Sequence, residues 1–387
     1  MENKQVKVCH IASIDITVGF LLMPQLKFLM SQGYSVYAVC APGKLVEDIR
    51  KQGIKVKTIE IKRKAFSPVA DIIALWRLYF YFKKEKFDIV HVHAPKPGLL
   101  GQLAAKWAGV PVIINTIHGL YFTEDSSYLK RKFYILIEKI AAKCSTLIFS
   151  QNKEDIDTMI KEKIAPHYLL KYLGNGIDMK RFNPEKFSKD FIEEKKKELG
   201  IGPDVKVVGT IGRLVREKGY FDLFSAMKEV LKKYPEAVLI AIGPGEPYKK
   251  DKFNSSVAKE FGIENNAKFL GERKDVNELL CLMDVFVLAS HREGFPRSVI
   301  EAMAMQRPIV VTNIRGCREE IDDQENGLIV PVKNPVSLAG AIIDLLDNPE
   351  KSKIFAERAR EKAFNNFSEE AVFLELKEAY SRLLKEK

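Results

Sequence analysis

Two glutamates eight positions apart, Glu293 and Glu301, close the segment Glu-Gly-Phe-Pro-Arg-Ser-Val-Ile-Glu. Between them, Gly294 lets a backbone approach closely and Pro296 suits a first helical position. Val299, Ile300, Ala302 and Met303 predict a buried helix from Ser298, and Asp284–Ser290 upstream predicts a buried strand. Glu293 then lies in a strand-to-helix loop and Glu301 about two turns into the helix. The unpaired N–H groups of a helix start suit a phosphate. A carboxylate on either side of them can accept hydrogen bonds, Glu293 from a sugar and Glu301 from a ribose diol. A capped surface helix with two solvated glutamates fits the same spacing equally well.

The elements that would position such a site alternate along the chain. In the first half, strand patterns at Val6–Ile11, Ser35–Cys40, Lys55–Ile59, Asp88–Val92, Pro111–Thr116, Thr146–Ser150 and Tyr168–Leu173 are separated by helical ones. Residues 174–205, with Gly, Pro and a charge run, read as a linker. The second half repeats the alternation at Val205–Ile211, Ala237–Ile242, Lys268–Leu270, Val285–Ala289 and Pro308–Thr312, with one helix expected near Tyr248. This order predicts two α/β domains, each a parallel sheet covered on both faces, over 1–180 and 200–367. The last helix, 368–387, carries Val372, Leu376, Ala379 and Leu383 at helical spacing and could pack back on the first domain. Ligands belong at the carboxyl ends of such strands.

Each strand end is therefore a place where chemistry is expected. Gly19 opens a helix after the first strand and could let a diphosphate approach. One glycine is not the GxGxxG of a dinucleotide site, which speaks against an oxidoreductase. His93 and Lys96 precede a helix start and suit an acceptor phosphate, or a Pro-rich turn with a solvated lysine. His91 is expected to turn to the other face as a core histidine. His118, with Gly119 behind it, stands where a substrate-orienting imidazole belongs. Arg213 and Lys218 flank the next helix start and fit a diphosphate leaving group. Arg273 could stack on a base, with Asp275 as a helix cap. Asp155-Ile-Asp157 has the spacing of a metal-binding pair, but opens a helix, where acidic residues are favoured anyway. No essential metal and no cofactor are expected.

Composition bounds the rest. A chain of 387 residues exceeds one ordinary core, and no apolar stretch reaches the length of a spanning helix. No signal peptide is apparent, and five scattered cysteines without a CxxC pair suggest reduced thiols and a cytoplasmic protein. The net charge of +11 sits wholly in the first half: residues 1–185 hold 28 Lys and Arg against 17 Asp and Glu, and the remainder 34 against 34. No nucleic-acid motif accompanies this excess. Basic clusters at Lys62-Arg63-Lys64 and Lys130-Arg131-Lys132, beside Trp76, Tyr79, Phe80, Tyr81 and Phe82, suggest docking on anionic lipid. The stripe Ile72, Ile73, Leu75, Trp76, Tyr79, Phe80 is expected to face the core, with one or two rings left exposed.

Taken in order, several motifs resemble a retaining glycosyltransferase of family 4. They are Gly212-Arg213…Lys218-Gly219, the Glu293/Glu301 pair with Glu301-Ala-Met, Pro308–Thr312, Gly316…Glu320 and Asn326–Pro331. Asp88–His93, His118-Gly119 and Asn175–Asp178 fit the same family, and the likeness runs nearly end to end. It implies a GT-B fold, two Rossmann-like domains facing across a cleft with the donor mainly in the second. By that resemblance Arg213 and Lys218 grip the donor diphosphate, Glu301 the ribose and Glu293 the transferred sugar. The backbone of Gly294, Phe295, Pro296, Ser298 and Val299 meets sugar and phosphate, and His118 reaches the sugar. Many members carry two glycines where this chain has Val18-Gly19. The run His93–Gly98 resembles a bacterial subgroup that builds glycans on polyprenyl diphosphate. That implies a nucleotide sugar, UDP-linked, as donor, a lipid-linked saccharide as acceptor, and a peripheral place on the inner face of the membrane. A sugar-nucleotide epimerase of the same fold, or a non-catalytic nucleotide-sugar-binding subunit, would share these features.

Overall fold

The computed structural model describes residues 5–61, 67–93, 95–123, 126–245 and 252–386, residues 95–97 in backbone only. Lys62, Arg63, Lys64 and Tyr248 therefore fall outside the described residues, as does the side chain of Lys96. The chain forms two compact units, 1–174 with 372–387, and 175–371.

In the first unit the strands are β1 (Lys7–Ile11), β2 (Ser35–Cys40), β3 (Lys55–Thr58), β4 (Ile89–Val92), β5 (Val112–Ile117), β6 (Leu147–Ser150) and β7 (Leu170–Tyr172). They alternate with helices α1 (Met23–Ser31), α2 (Val46–Lys51), α3 (Pro68–Glu85), α4 (Pro95–Ala108), α5 (Tyr128–Ala142) and α6 (Lys153–Lys161). All pairings are parallel, in the order β3-β2-β1-β4-β5-β6-β7. Strands this rich in Val and Ile, buried on both faces, require helices on both sides. One face packs Leu22, Leu26, Leu29 and Ile49, the other Ala74, Leu78, Phe82 and Ala104.

The second unit holds α7 (Lys189–Glu198), β8 (Val207–Ile211), α8 (Tyr220–Lys233), β9 (Val238–Ile242), β10 (Ala267–Gly271), α9 (Val276–Cys281), β11 (Val285–Leu288), α10 (Arg297–Ala304), β12 (Ile309–Thr312), α11 (Cys317–Glu320), β13 (Leu328–Val330), α12 (Pro335–Asp347) and α13 (Pro349–Asn366). Its parallel sheet runs β10-β9-β8-β11-β12-β13. The chain ends in α14 (Glu369–Lys385), whose Leu376, Ala379, Tyr380 and Leu383 are buried in the core of the first unit.

Two local expectations are corrected. Residues 175–205 are not a free linker. Ile177, Phe182 and Ile201 join the core of the second unit, and Lys195 on α7 pairs with Asp275 and Glu278. On α3 the core face is Ala74, Leu78 and Phe82, while Ile72, Ile73, Trp76 and Phe80 are exposed. The helix is apolar nearly all round, so periodicity could not say which stripe meets the sheet.

Candidate active site

In each unit the chain reverses direction across the sheet at one point: between β1 and β4, and between β8 and β11. Ligand crevices form at such points, outside the carboxyl ends. In the second unit the loops after β8 and β11 carry the predicted donor residues. Lys218 forms an ion pair with Glu293, and Ser290 Oγ donates to the same carboxylate at 2.7 Å. Both Lys218 and Glu293 are half-buried, so their attraction is screened less than on an open surface. Thr312 Oγ1 donates to the Ser290 carbonyl at 2.5 Å, tying the end of β12 to this corner. Arg292 pairs with Glu217 at 2.8 Å and His291 with Asp222 at 2.6 Å, which stitches the two loops together.

The backbone explains two glycines. Gly219 has φ +70°, and a Cβ there would stand 1.8 Å from the Ala289 carbonyl oxygen. Gly316 has φ +78°, and a Cβ would stand 2.5 Å from the Gly294 carbonyl oxygen. Only glycine permits this conformation and this closeness. The loops after β8, β11 and β12 thus converge on Gly294.

Phe295 and Pro296 are buried, and Asn175 Nδ2 donates to the Phe295 carbonyl at 3.3 Å. Helix α10 follows with no side-chain cap. Ser298 is half-buried and Val299 fully buried. Glu301 is open to solvent at one edge yet surrounded by protein. Burial pushes its carboxyl up to about 7, with Arg297 and Arg181 pulling the other way. Arg213 is half-buried in the loop after β8. Arg273 grips Asp275 through Nε at 2.7 Å and through Nη2, while Asp275 also holds Lys195. Asp275 sits at the cap position of α9, but its carboxylate makes no cap bond. A cavity of about 510 Å3 lies beside Asp178–Asn183 and α13, and none of the donor-loop residues lines it.

Glu320 is a functional-site neighbour whose character the sequence did not reveal. It is fully buried, and among the described residues neither carboxyl oxygen has a partner. Burial and then the charge of Glu293 hold its carboxyl well above the usual range, so it is neutral.

The first unit is built differently. Gly19 lies in a wide helical turn, Thr17–Leu22, where a Cβ would meet Leu45 at 3.2 Å, so packing alone calls for a small residue. His91 does not turn away from His93. Two residues apart on one strand, they share a face and stack at 4.2 Å between ring centroids, as strand periodicity requires. Register places His10 of β1 beside His91 of β4. Hydrogen-bond distances then run Thr116 Oγ1–His91 Nε2 2.7 Å, His91 Nδ1–Tyr380 Oη 2.6 Å, Tyr380 Oη–His10 Nε2 3.4 Å and His10 Nδ1–His93 Nε2 2.9 Å. They continue His93 Nδ1–His118 Nε2 at 3.2 Å and His118 Nδ1–Gln151 Oε1 at 2.8 Å.

Every ring nitrogen of the four histidines thus has a protein partner. With the Gln151 oxygen assigned toward His118, each imidazole donates through Nδ1 and accepts at Nε2. Burial lowers all four, His10 to about 3, so the imidazoles are neutral. His93 therefore offers no positive charge to a phosphate. His10, His91 and His93 bring one nitrogen each within 4.8 Å of one another, a spacing that could hold a metal, but the hydrogen bonds already account for those nitrogens. Asp155 is buried and accepts from the Leu120 N–H at 3.1 Å, fixing the loop after β5.

Two doubly wound parallel domains, the second with its cations and carboxylates gathered at the reversal point, define the GT-B class of sugar transferases. Comparison with known proteins agrees. Residues 191–362 match the family described as glycosyl transferases group 1, and residues 7–152 the glycosyl transferase 4-like family. The two matches together span most of the chain, which is a glycosyltransferase. It is 27% identical over 95% of its length, and 94% of the relative's, to the UDP-Gal:alpha-D-GlcNAc-diphosphoundecaprenol alpha-1,3-galactosyltransferase of Escherichia coli. It is 28% identical, over 94% of this chain and 95% of the relative, to the N,N'-diacetylbacillosaminyl-diphospho-undecaprenol alpha-1,3-N-acetylgalactosaminyltransferase of Campylobacter jejuni. Anabaena Alr3699/HepE, solved in complex with UDP, shares the fold with a TM-score of 0.81 at 19% identity, over 98% of this chain and all of that one.

Proposed function

We propose that this glycosyltransferase moves a hexose or N-acetylhexosamine from a UDP-linked donor to a saccharide carried on polyprenyl diphosphate, with retention and without a metal. The observation that carries this reading is the Lys218–Glu293–Ser290 corner at the reversal point of the second sheet, beside the uncapped start of α10. Its chemistry is that of a sugar diphosphate. Arg213, Lys218 and the helix start neutralise the departing phosphate, as a metal does elsewhere. Glu293 accepts from a sugar hydroxyl, and Glu301, once ionised, from the ribose diol. A role for His118 toward the sugar rests on the family resemblance alone.

In the reaction the anomeric carbon–phosphate oxygen bond breaks as the acceptor oxygen bonds to the same face of that carbon. The acceptor's proton passes to the departing phosphate oxygen, so no separate base is needed. The lipid-linked nature of the acceptor is supported by the named substrates of the two relatives and by the surface of the first unit. There Ile72, Ile73, Trp76 and Phe80 of α3, Trp107 of α4 and Tyr128, Leu129, Phe133 and Leu136 of α5 are exposed on three successively packed helices. Lys130 and Lys132 stand exposed among them, while Arg131 is held by Glu162 at 2.5 Å. Rings with cations suit the interfacial layer of an anionic bilayer. Among the described residues no helix is long and apolar enough to cross a membrane.

The test is turnover of nucleotide sugars with a polyprenyl-diphosphate saccharide, read by product mass and anomer, with and without chelator. Transfer with an axial anomer kept and chelator tolerated is expected. An inverted product, or loss on chelation restored by manganese or magnesium, would overturn the mechanism and return Asp155-Ile-Asp157 to consideration.

A further inference from the structure

At the carboxyl ends of β4 and β5 lies a cavity of about 100 Å3, lined by His93, Asn115, Thr116, His118, Tyr121 and Glu138 among others. Two of its walls have hydrogen-bonding capacity left over. Glu138, on the inward face of α5, is 8% exposed, and Asn115, on β5, is 6% exposed. Among the described residues neither side chain has a hydrogen-bond partner, and neither has a polar atom sealed from solvent, so both reach the cavity. The imidazoles beside them cannot supply one, because every nitrogen of His93 and His118 is already engaged. Burial, and then the charge of Asp155, push the Glu138 carboxyl up to about 7.

The polar atoms of Glu138 and Asn115 open onto the cavity and are not sealed from water, so whatever replaces that water must match a carboxyl and an amide. The described walls decide its class. They present an acidic group and no cation, which disfavours a phosphate. A purely apolar group would leave both polar side chains unpaired. A hydroxyl or hydroxymethyl group satisfies both at once, donating to the carboxylate and accepting from the amide N–H, and the volume admits such a group.

We propose that this cavity receives a hydroxyl-bearing arm of the acceptor saccharide, held between Glu138 and Asn115. The proposal rests on the acceptor being a sugar, as read above. It makes Glu138 a specificity-determining residue on a helix that carries none of the residues first singled out for chemistry.

Two measurements test it. With a polyprenyl-diphosphate-linked N-acetylglucosamine acceptor, Glu138→Gln and Asn115→Ala are each expected to raise the acceptor KM about tenfold. The donor KM, slow donor hydrolysis and Tm should hold. One monodeoxy acceptor should lose that factor against the wild type and nothing more against Glu138→Ala. The second measurement needs no turnover: a panel of methyl hexosides and methyl N-acetylhexosaminides is titrated by NMR into wild type and Glu138→Ala. At least one should bind the wild type and lose about tenfold in the variant. An unchanged acceptor KM in both variants, a rise in donor KM instead, or no methyl glycoside binding the wild type overturns the pocket. Failure of all transfer with glycoside binding and its Glu138 dependence intact would overturn the lipid-linked acceptor and leave the pocket standing.

Discussion

The two reversal points share a topology and oppose each other in chemistry. In the second unit the corner between β8 and β11 is ionic: Lys218 against Glu293, Arg292 against Glu217, and Glu301 on the next helix. In the first, the strand ends beside β1 and β4 hold neutral imidazoles in a hydrogen-bonded row, with a carboxyl near half-ionisation beside them. Parallel sheets deliver loops to the same edge whatever the loops contain. The difference teaches that the fold supplies only the place. Charges suit a diphosphate whose negative charge grows as it leaves, while neutral polar groups suit hydroxyls whose charge does not change.

The largest expected effect breaks the ionic side. Lys218→Met keeps the stem and removes the charge, and should lower kcat by about 10²–10³. Steady-state rates with Tm as a control check it; wild-type turnover in a folded variant would remove Lys218 from the phosphate.

The neutral side should break with acid. An imidazole kept neutral when folded binds no proton there, whereas its unfolded counterpart binds one below about 6.5. Stability from His10, His91, His93 and His118 is therefore complete above that value and lost as pH falls from it. Each contributes a loss of about 1.4 kcal/mol per pH unit until its folded form titrates. Glu138 and Glu301 act oppositely. Their folded values near 7 make their contribution full below about 4.5 and lost as pH rises through 7. Hydrogen exchange resolved by peptide should show the first unit opening before the second between pH 6.5 and 5. Simultaneous opening would mean the imidazole row does not set the acid limit.

A smaller effect sharpens the ionic side. Since Glu301 titrates near 7, UDP affinity should rise from pH 6 to 8 in the wild type. Glu301→Gln should bind about tenfold more weakly with no such rise. Calorimetry at three pH values suffices, and equal affinity in both proteins would place the ribose elsewhere.

The smallest effect concerns the basic surface. Binding to vesicles with anionic lipid should fall by about 1 kcal/mol for each of Lys130 and Lys132 changed to Gln, and should weaken with salt. Equal binding to neutral and anionic vesicles would disconnect the charge from lipid.

Much of the second site was legible because its determinants are local. Glu293 and Glu301 sit on one strand–loop–helix unit, and Arg213 and Lys218 on another, so spacing predicts their placement. All strands but β13 lie within a residue or two of their expected ends, because their Val and Ile runs are short and bounded by turns; the three-residue β13 is too short to show a pattern of its own. The first site was less legible because it is assembled from afar. Tyr380 comes from α14, His10 from β1 and Glu138 from α5, and nothing in the sequence says that they meet. The shared face of His91 and His93 could have been read from strand periodicity alone. The outward stripe of α3 could not, since apolar residues lie on all its sides.

Trp76 and Trp107 have a practical consequence. They are the only two tryptophans of the chain, both in the first unit, both about half exposed, with ring centroids 6.3 Å apart. Excited at the red edge of the tryptophan band, where tyrosines such as Tyr220 and Tyr234 of the second unit absorb little, their fluorescence is an intrinsic probe of the first unit. Because they lie on the same helices as the aromatic face, burial in lipid would shift their emission to the blue without any label. If that face meets lipid, the two rings report it at one wavelength while the second unit contributes little.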